Sequence, residues 1–384
     1  MNADSGALAR GFTHFAEHDA TDDPLYVALC RHVAAQPDLL TLMQHAPPTQ
    51  RVPNLLLAAV HERVLAGVTH ALREYFPSAG GTRTPDAALP ALFDDFVATQ
   101  RDALCQSLAT RSTQTNEIGR CAVLWPALCA LARRSGRARL ALFDFGSSAG
   151  LNLGVDSYRY DYGALTLGAT AGDDVPLIQC HLVGESSRRA LRGLASHAPQ
   201  VVARIGVDPA AIDVHDAAQV RWLRACLWPH DRVRLARFDR AVQAAQQRGL
   251  RVQRCDDCAA AIEPWLDGLP GDVLPVVFNS WVLHYFDPAA RQAHVQFMRQ
   301  MVQRRGVAWL SAEGAHIRLG AAPVVQGGDA EVSDVQLARG SLWWLMQRDA
   351  ASASPTATLL ARSHPHGRWL QWIDSLHADA MPHP

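Results

Sequence analysis

The 384-residue chain contains no lysine, so its 36 basic residues are all arginine. That absence excludes Schiff-base chemistry on a lysine, a P-loop lysine and a Ser-x-x-Lys hydrolase. Net charge is also missing. At −1 overall, bulk electrostatics give no footprint for nucleic acid. No window reaches the roughly 18 unbroken apolar residues of a membrane span. The N-terminus has acids and no apolar core, so no signal peptide is visible. The eight Cys are scattered through apolar segments, which fits a reducing cytoplasm better than a disulfide framework. What remains is a 48% hydrophobic chain, ample for a core in one large or two ordinary domains.

Its organising stretch is Leu140-Ala141-Leu142-Phe143-Asp144-Phe145-Gly146-Ser147-Ser148-Ala149-Gly150-Leu151-Asn152. An apolar run of strand length carries an acid near its end, then breaks into small residues that let a ligand approach the backbone. Two chemistries use such a turn. Read as Asp-x-Gly-x-Ser-x-Gly, it is a variant of the first nucleotide-binding turn of class I methyltransferases, with Ser148 for the middle glycine. Read as Gly-x-Ser-x-Gly, it is a nucleophile elbow with Ser148 attacking.

Residues 1–110 predict a helical region. Pro24, Pro37 and Pro53 sit where first-turn prolines belong, the last opening a run from Leu55 to Phe76, and an amphipathic segment covers Leu89 to Leu108. Residues 111–384 predict an α/β domain. Ile118, Cys121, Ala122, Trp125, Leu128, Cys129 and Ala132 form one face of a helix kinked at Pro126. Apolar strands follow at 140–145, 201–207, 250–255, 273–278 and 307–310, with helices between. That alternation means a mostly parallel, Rossmann-like sheet with a ligand crevice at its carboxyl edge. Leu342–Met346, Thr356–Ala361 and Arg368–Trp372 read as closing strands, the last two a hairpin through Ser363–Gly367. An insertion at about 155–198 includes Tyr158–Gly163, an aromatic-rich loop or lid.

The strand ends carry the candidate chemistry. A methyl-donor cofactor needs main-chain N–H groups for its carboxylate and acids for its ammonium, ribose and adenine amine. Asp144, Gly146, Ser147, Ser148, Ala149, Gly150 and Asn152 supply the turn. Asp208 ends the second strand, Asp256 and Asp257 the third, and Asn279 and Ser280 the fourth. Substrate contacts fall to Gln114, Asn116, Arg120, Tyr158, Tyr160, Trp281 and Tyr285, with Glu117, His284 and Glu313 as candidate acid–base groups. Asp144 and Asp208 lie 64 residues apart, against about 20 in a compact dinucleotide unit, so the segment between them holds an insertion. Against the elbow, no His-Gly-Gly-Gly precedes the turn, and Asp144 would repel an oxyanion; His364 or His366 would be its base. Cys255-x-x-Cys258 is a lone pair and predicts no zinc site.

Thr113–Glu117 with Arg120, the Gly146–Leu153 turn, Tyr158–Gly163, Arg204–Asp208 and the Trp222…Trp228-Pro229 segment resemble one uncharacterised bacterial family, domain of unknown function 2332. The resemblance spans nearly the whole chain and implies a methyltransferase-like core behind a helical N-terminal part. The expectation is therefore a cytoplasmic, S-adenosylmethionine-dependent methyltransferase acting on a small molecule, with no metal, nucleic acid or membrane partner. The alternatives are a non-catalytic cofactor- or protein-binding module of the same fold, and a serine esterase.

Overall fold

The computed structural model describes residues 3–114, 116–170, 172, 174–348 and 354–374. Twelve strands are present among them. They are β1 (Arg139–Phe145), β2 (Arg159–Asp161), β3 (Thr166–Gly168), β4 (Leu177–Gln179), β5 (His181–Leu182), β6 (Gln200–Asp208), β7 (Val252–Arg254), β8 (Leu274–Ser280), β9 (Ala308–Gly314), β10 (Ser341–Gln347), β11 (Thr356–Ser363) and β12 (Trp369–Trp372). Nine of them make one sheet in the order β5-β12-β11-β10-β9-β8-β1-β6-β7. The pairs from β7 to β9 are all parallel. β10, β11 and β12 then continue from β9 as an antiparallel meander, and β5 adds a short parallel edge.

The chain divides into two units. One comprises Met1–Thr115 with His215–Asp239, the other Asn116–Val214 with Arg240–Pro384. The first is helical, and Pro24, Pro37 and Pro53 each open a helix there. The run from Leu55 is shorter than its apolar pattern predicts. Its helix, Pro53–Leu65, stops before Gly67 at φ +86°, and Ala71–Tyr75 forms a separate 3-10 turn. The segment Leu89–Leu108 is likewise two helices, broken at Gln100. Residues 215–239, placed by chain order in the sheet domain, belong to the helical unit, where Trp222 joins the core.

In the second unit β1 is buried on both faces from Leu140 onward, which explains its continuous apolar run. Phe143, Val277, Trp309 and Trp344 share one core cluster with Met298 and Val302 of the helix Pro288–Arg305. β9 is longer than its apolar letters predict. β10 pairs with it from Trp309 to Gly314, bringing Leu342 opposite Glu313, so Glu313 lies inside a strand rather than in a loop.

The Tyr158–Gly163 stretch is not a lid. β2 pairs with β3 and β4 in a second, three-stranded sheet, and Tyr158, Tyr160 and Tyr162 are all buried. Each hydroxyl donates to a main-chain carbonyl: Leu151 at 2.6 Å, Val155 at 2.5 Å and Ala122 at 2.6 Å. The last has a specific cause. Pro126 lies inside the helix Cys121–Ser135 and brings no N–H to the carbonyl four residues back, which is that of Ala122. The Tyr162 hydroxyl supplies the missing donor. Tyr162→Phe should therefore cost about 1–3 kcal/mol, the penalty for a buried acceptor left unmet, in a denaturant melt. An unchanged midpoint would show that Ala122 needs no partner.

Candidate functional site

β1 is the strand from which the order reverses, with β6 on one side and β8 on the other. In such sheets the crevice lies outside the carboxyl ends of these strands. Asp144, the next-to-last residue of β1, is 2% exposed and accepts a hydrogen bond from Ser147 Oγ at 2.8 Å. Burial pushes its carboxyl up to about 7; the Ser147 hydrogen bond opposes this, the charge of Asp208 adds to it, and Arg120 pulls the other way.

The turn that follows alternates in hand. Gly146, Ser148 and Gly150 have φ of +77°, +52° and +70°, whereas Ser147 and Ala149 do not enter the left-handed region. Ser148 is unusual as a non-glycine there. Gly146 is dictated by packing as well as by φ, since a Cβ on it would come within 2.6 Å of Val282 Cγ2. The main-chain donors of the turn are all engaged. Gly146 and Ser147 donate to Val207 O at 3.0 and 3.1 Å, and Gly150 to Ser147 O at 2.8 Å. Ser148 donates to Asp208 Oδ2 at 2.8 Å and Ala149 to Asn116 Oδ1 at 3.2 Å. Asn116 Nδ2 in turn donates to Ser148 Oγ. Asp208 reaches the turn from the end of β6, and its other oxygen caps Ala210 N at 2.7 Å.

Arg120 sits at the centre of the crevice charge. It is 5% exposed and donates to Ser280 O, Ser280 Oγ and Pro365 O at 3.1, 2.9 and 2.9 Å. It also stacks 5.7 Å from the Trp281 ring centre. Its charge is felt by Asp144, His284 and Glu313 alike. Glu117, buried beside it, accepts from Gly119 N at 2.8 Å and pairs with His366 Nδ1 at 3.2 Å. The tip of the β11–β12 hairpin is thus part of the site. The residue letters mark Ser363–Gly367 as a turn and offer His364 or His366 as the base of the elbow reading, not as a partner of Glu117. Its carbonyl at Pro365 and its histidine contribute through long-range packing that no local pattern signals.

On the far side, Trp281 holds φ +58°, a conformation costing of order 1–3 kcal/mol for a bulky side chain. Its indole N–H donates to Ser341 Oγ at 2.8 Å. His284 is pulled down to about 4, chiefly by burial and then by the charges of Arg120, His316 and Arg291. Its Nδ1 is buried without a partner. Tyr285 is 61% exposed and its ring lies 3.8 Å from that of His284.

Several residues expected in the site have other work. Glu313 is 1% exposed. Its Oε1 accepts from Asn279 Nδ2 at 2.7 Å and from the N–H groups of Val282 and Leu283 at 2.9 Å each. It positions the turn after β8 and is not an acid–base group reaching a substrate. Burial raises its carboxyl above the usual range against the pull of those bonds. Asn279 is fully committed, donating also to Ser311 Oγ and accepting from Trp309 Nε1, so it has no donor left for a cofactor. Tyr158 and Tyr160 are core. Asn152 Oδ1 accepts the Cys121 thiol at 3.3 Å. Asp256 and Asp257 are exposed after β7, and Asp257 caps Ala259 and Ala260 N at 3.1 Å. Gln114 belongs to the helical unit, and Thr115 of the same polar cluster lies outside the described residues. Among the described residues no group of three or more His, Cys, Asp or Glu is arranged to hold a metal ion. No helix among them is long and apolar enough to cross a membrane.

A family model described as an uncharacterized protein conserved in bacteria, DUF2332, matches residues 9–372. Comparison with curated proteins and with solved structures gave no match. The match runs from the first helix to the last strand and takes in both units, so the chain belongs to the DUF2332 family.

Proposed function

We propose that the second unit binds S-adenosylmethionine and that the protein is a methyltransferase acting on a small molecule. The observation that carries this is the pair of carboxylates, Asp144 and Asp208, ending neighbouring parallel strands on either side of the left-handed Gly146–Gly150 turn. The parallel strands run 3-2-1-4-5 across the sheet when counted along the chain without β2–β5. That is the start of the Rossmann order, but an antiparallel strand follows where a dinucleotide-binding sheet continues with a sixth parallel one. The chain's own residues suit the group in part. Asp144 would face its ammonium, Asp208 has lone pairs left for ribose hydroxyls, and the turn lies where its carboxylate would rest. The cofactor supplies an electrophilic methyl group. Protein positioning and exclusion of water are then the main contributions. On the substrate side Arg120, Trp281 and Tyr285 would form the wall. His284, neutral at pH 7, would accept a proton.

The test is a thermal-shift and calorimetric titration with S-adenosylhomocysteine, S-adenosylmethionine and NAD. Ligand at 100 times its dissociation constant should stabilise the protein by ~2.7 kcal/mol, with NAD inert. No shift and no heat at millimolar ligand would remove the cofactor. Binding without turnover on any substrate would leave a non-catalytic module. The serine-hydrolase reading keeps two observations of its own, the left-handed Ser148 and the buried Glu117 paired with His366. Stoichiometric labelling of Ser148 by a fluorophosphonate would favour it over the methyltransferase. We expect none.

A further inference from the structure

We propose that Asn116 is an internal stand-in for a ligand carboxylate, holding the Ala149 N–H until the ligand displaces it. The inference rests on the cofactor reading above and adds the residue that gates it.

Alternating right- and left-handed residues turn successive N–H groups toward a common concavity, the arrangement that binds anions in phosphate and carboxylate sites. The Gly146–Gly150 turn alternates positive φ at Gly146, Ser148 and Gly150 with residues outside that region, yet its N–H groups are filled from within. Three are taken by main-chain carbonyls, Val207 O twice and Ser147 O once. These belong to the strand and the turn themselves and cannot leave. Asp208 holds the fourth and is fixed through its second oxygen to Ala210 N.

Asn116 differs on each count. It is uncharged and partly exposed, and it lies in an irregular segment ahead of the 3-10 turn Ile118–Arg120. Its bond to Ala149 is 3.2 Å, at the long end for N–H···O. A carboxylate on the same N–H would make a charge-assisted bond, roughly twice as strong as a neutral one. Asp144 and Asp208 oppose an anion here, so exchange of the amide oxygen for a carboxylate oxygen is favoured where the ligand also carries an ammonium to place beside them. It also releases the Asn116 amide from Ser148 Oγ. The ligand class that follows is a small molecule ending in a carboxylate, such as the amino-acid end of the proposed cofactor.

The experiment pairs calorimetry against S-adenosylhomocysteine with hydrogen exchange at the Ala149 amide, for the wild type, Asn116→Ala and Asn116→Asp. With the stand-in removed, Asn116→Ala should bind the probe more tightly, between about twofold and tenfold, the equivalent of one neutral hydrogen bond. Its Ala149 amide should exchange faster than in the wild type and be protected again by the probe. Asn116→Asp keeps an oxygen on that N–H and adds charge, so it should bind more weakly than the wild type. Equal or weaker binding by Asn116→Ala would overturn the proposal, because it would make Asn116 a ligand contact or a structural pin. Should none of the three proteins bind the probe, the cofactor reading fails. The Asn116 contact is then judged by exchange alone, and an unchanged Ala149 rate in Asn116→Ala would overturn it too.

Discussion

Glu313→Ala should destabilise the second unit by about 4 kcal/mol or more, among the largest effects a single substitution produces. One carboxylate oxygen accepts three hydrogen bonds, from Asn279 Nδ2 and from the N–H groups of Val282 and Leu283. Alanine leaves all three donors without an acceptor in a site where Leu283 and Asn279 are buried. Each such donor costs about 1–3 kcal/mol. The loss should also release the strained Trp281, since the turn that carries it is tied down by the same oxygen. Glu313→Gln is the control. Its amide oxygen can replace Oε1, and its NH2 takes the place of Oε2, which has no partner. That variant should stay within about 1.5 kcal/mol of the wild type, the worth of one hydrogen bond, and should bind S-adenosylhomocysteine unchanged. Denaturant melts of both variants decide the matter. Equal losses for alanine and glutamine would mean that the negative charge matters and the three donors do not.

The second large effect is on pH dependence, through Asp144. Its folded carboxyl titrates near 7 against 3.8 for the free group. Between those values the folded protein holds a proton that the unfolded chain has released. Its contribution to stability is therefore full below about pH 4 and declines as pH rises through 7. Asp144→Asn cannot ionise and still offers an oxygen to Ser147. Relative to the wild type, it should gain stability on going from pH 5 to pH 8, by on the order of 3 kcal/mol at 1.36 kcal/mol per pH unit. Parallel curves for the two proteins would show that Asp144 stays ionised throughout.

Other groups titrate with the opposite sign. His294 packs among the rings of Phe145, Phe286 and Trp309, at 4.6, 5.7 and 5.8 Å, and burial pulls it down to about 4. Its contribution is present above pH 6.5 and is lost as pH falls toward 4. Such groups occur in both proteins and cancel in the comparison.

These residues also mark where the amino-acid letters are informative. The parallel strands announce themselves because a strand covered on both faces must be apolar throughout, as Leu140–Phe143 and Val276–Phe278 are. The Gly146–Gly150 turn is legible for a related reason, since only small residues suit its alternating φ. What fills that turn is not legible. Asn116 and Asp208 come from 33 and 60 residues away, and only the folded path brings them to Ala149 and Ser148. Tyr158, Tyr160 and Tyr162 misled for a different reason. Spaced by two, they carry the period of a strand, but polar aromatic tips suggest a ligand wall until the acceptor opened by Pro126 is known. Glu313 resembles a strand-end catalytic acid because β9 stops being apolar at Leu310. Pairing with β10 carries the strand on to Gly314.

Lastly, the order in which the chain leaves the ribosome does not match the order in which its parts can close. The helical unit comes first in sequence, yet it lacks Trp222 and the rest of residues 215–239 until β1 and β6 have already been made. β5 is made early, but among the described residues its partner in the large sheet is β12, the last strand. Between these events the nascent chain carries an open helical core and unpaired strand edges, the surfaces on which partly made proteins associate wrongly. Chains released before Trp369 should therefore be far more prone to aggregate than full-length ones. Refolding from denaturant, in which all segments are present at once, should be the easier route to the native state.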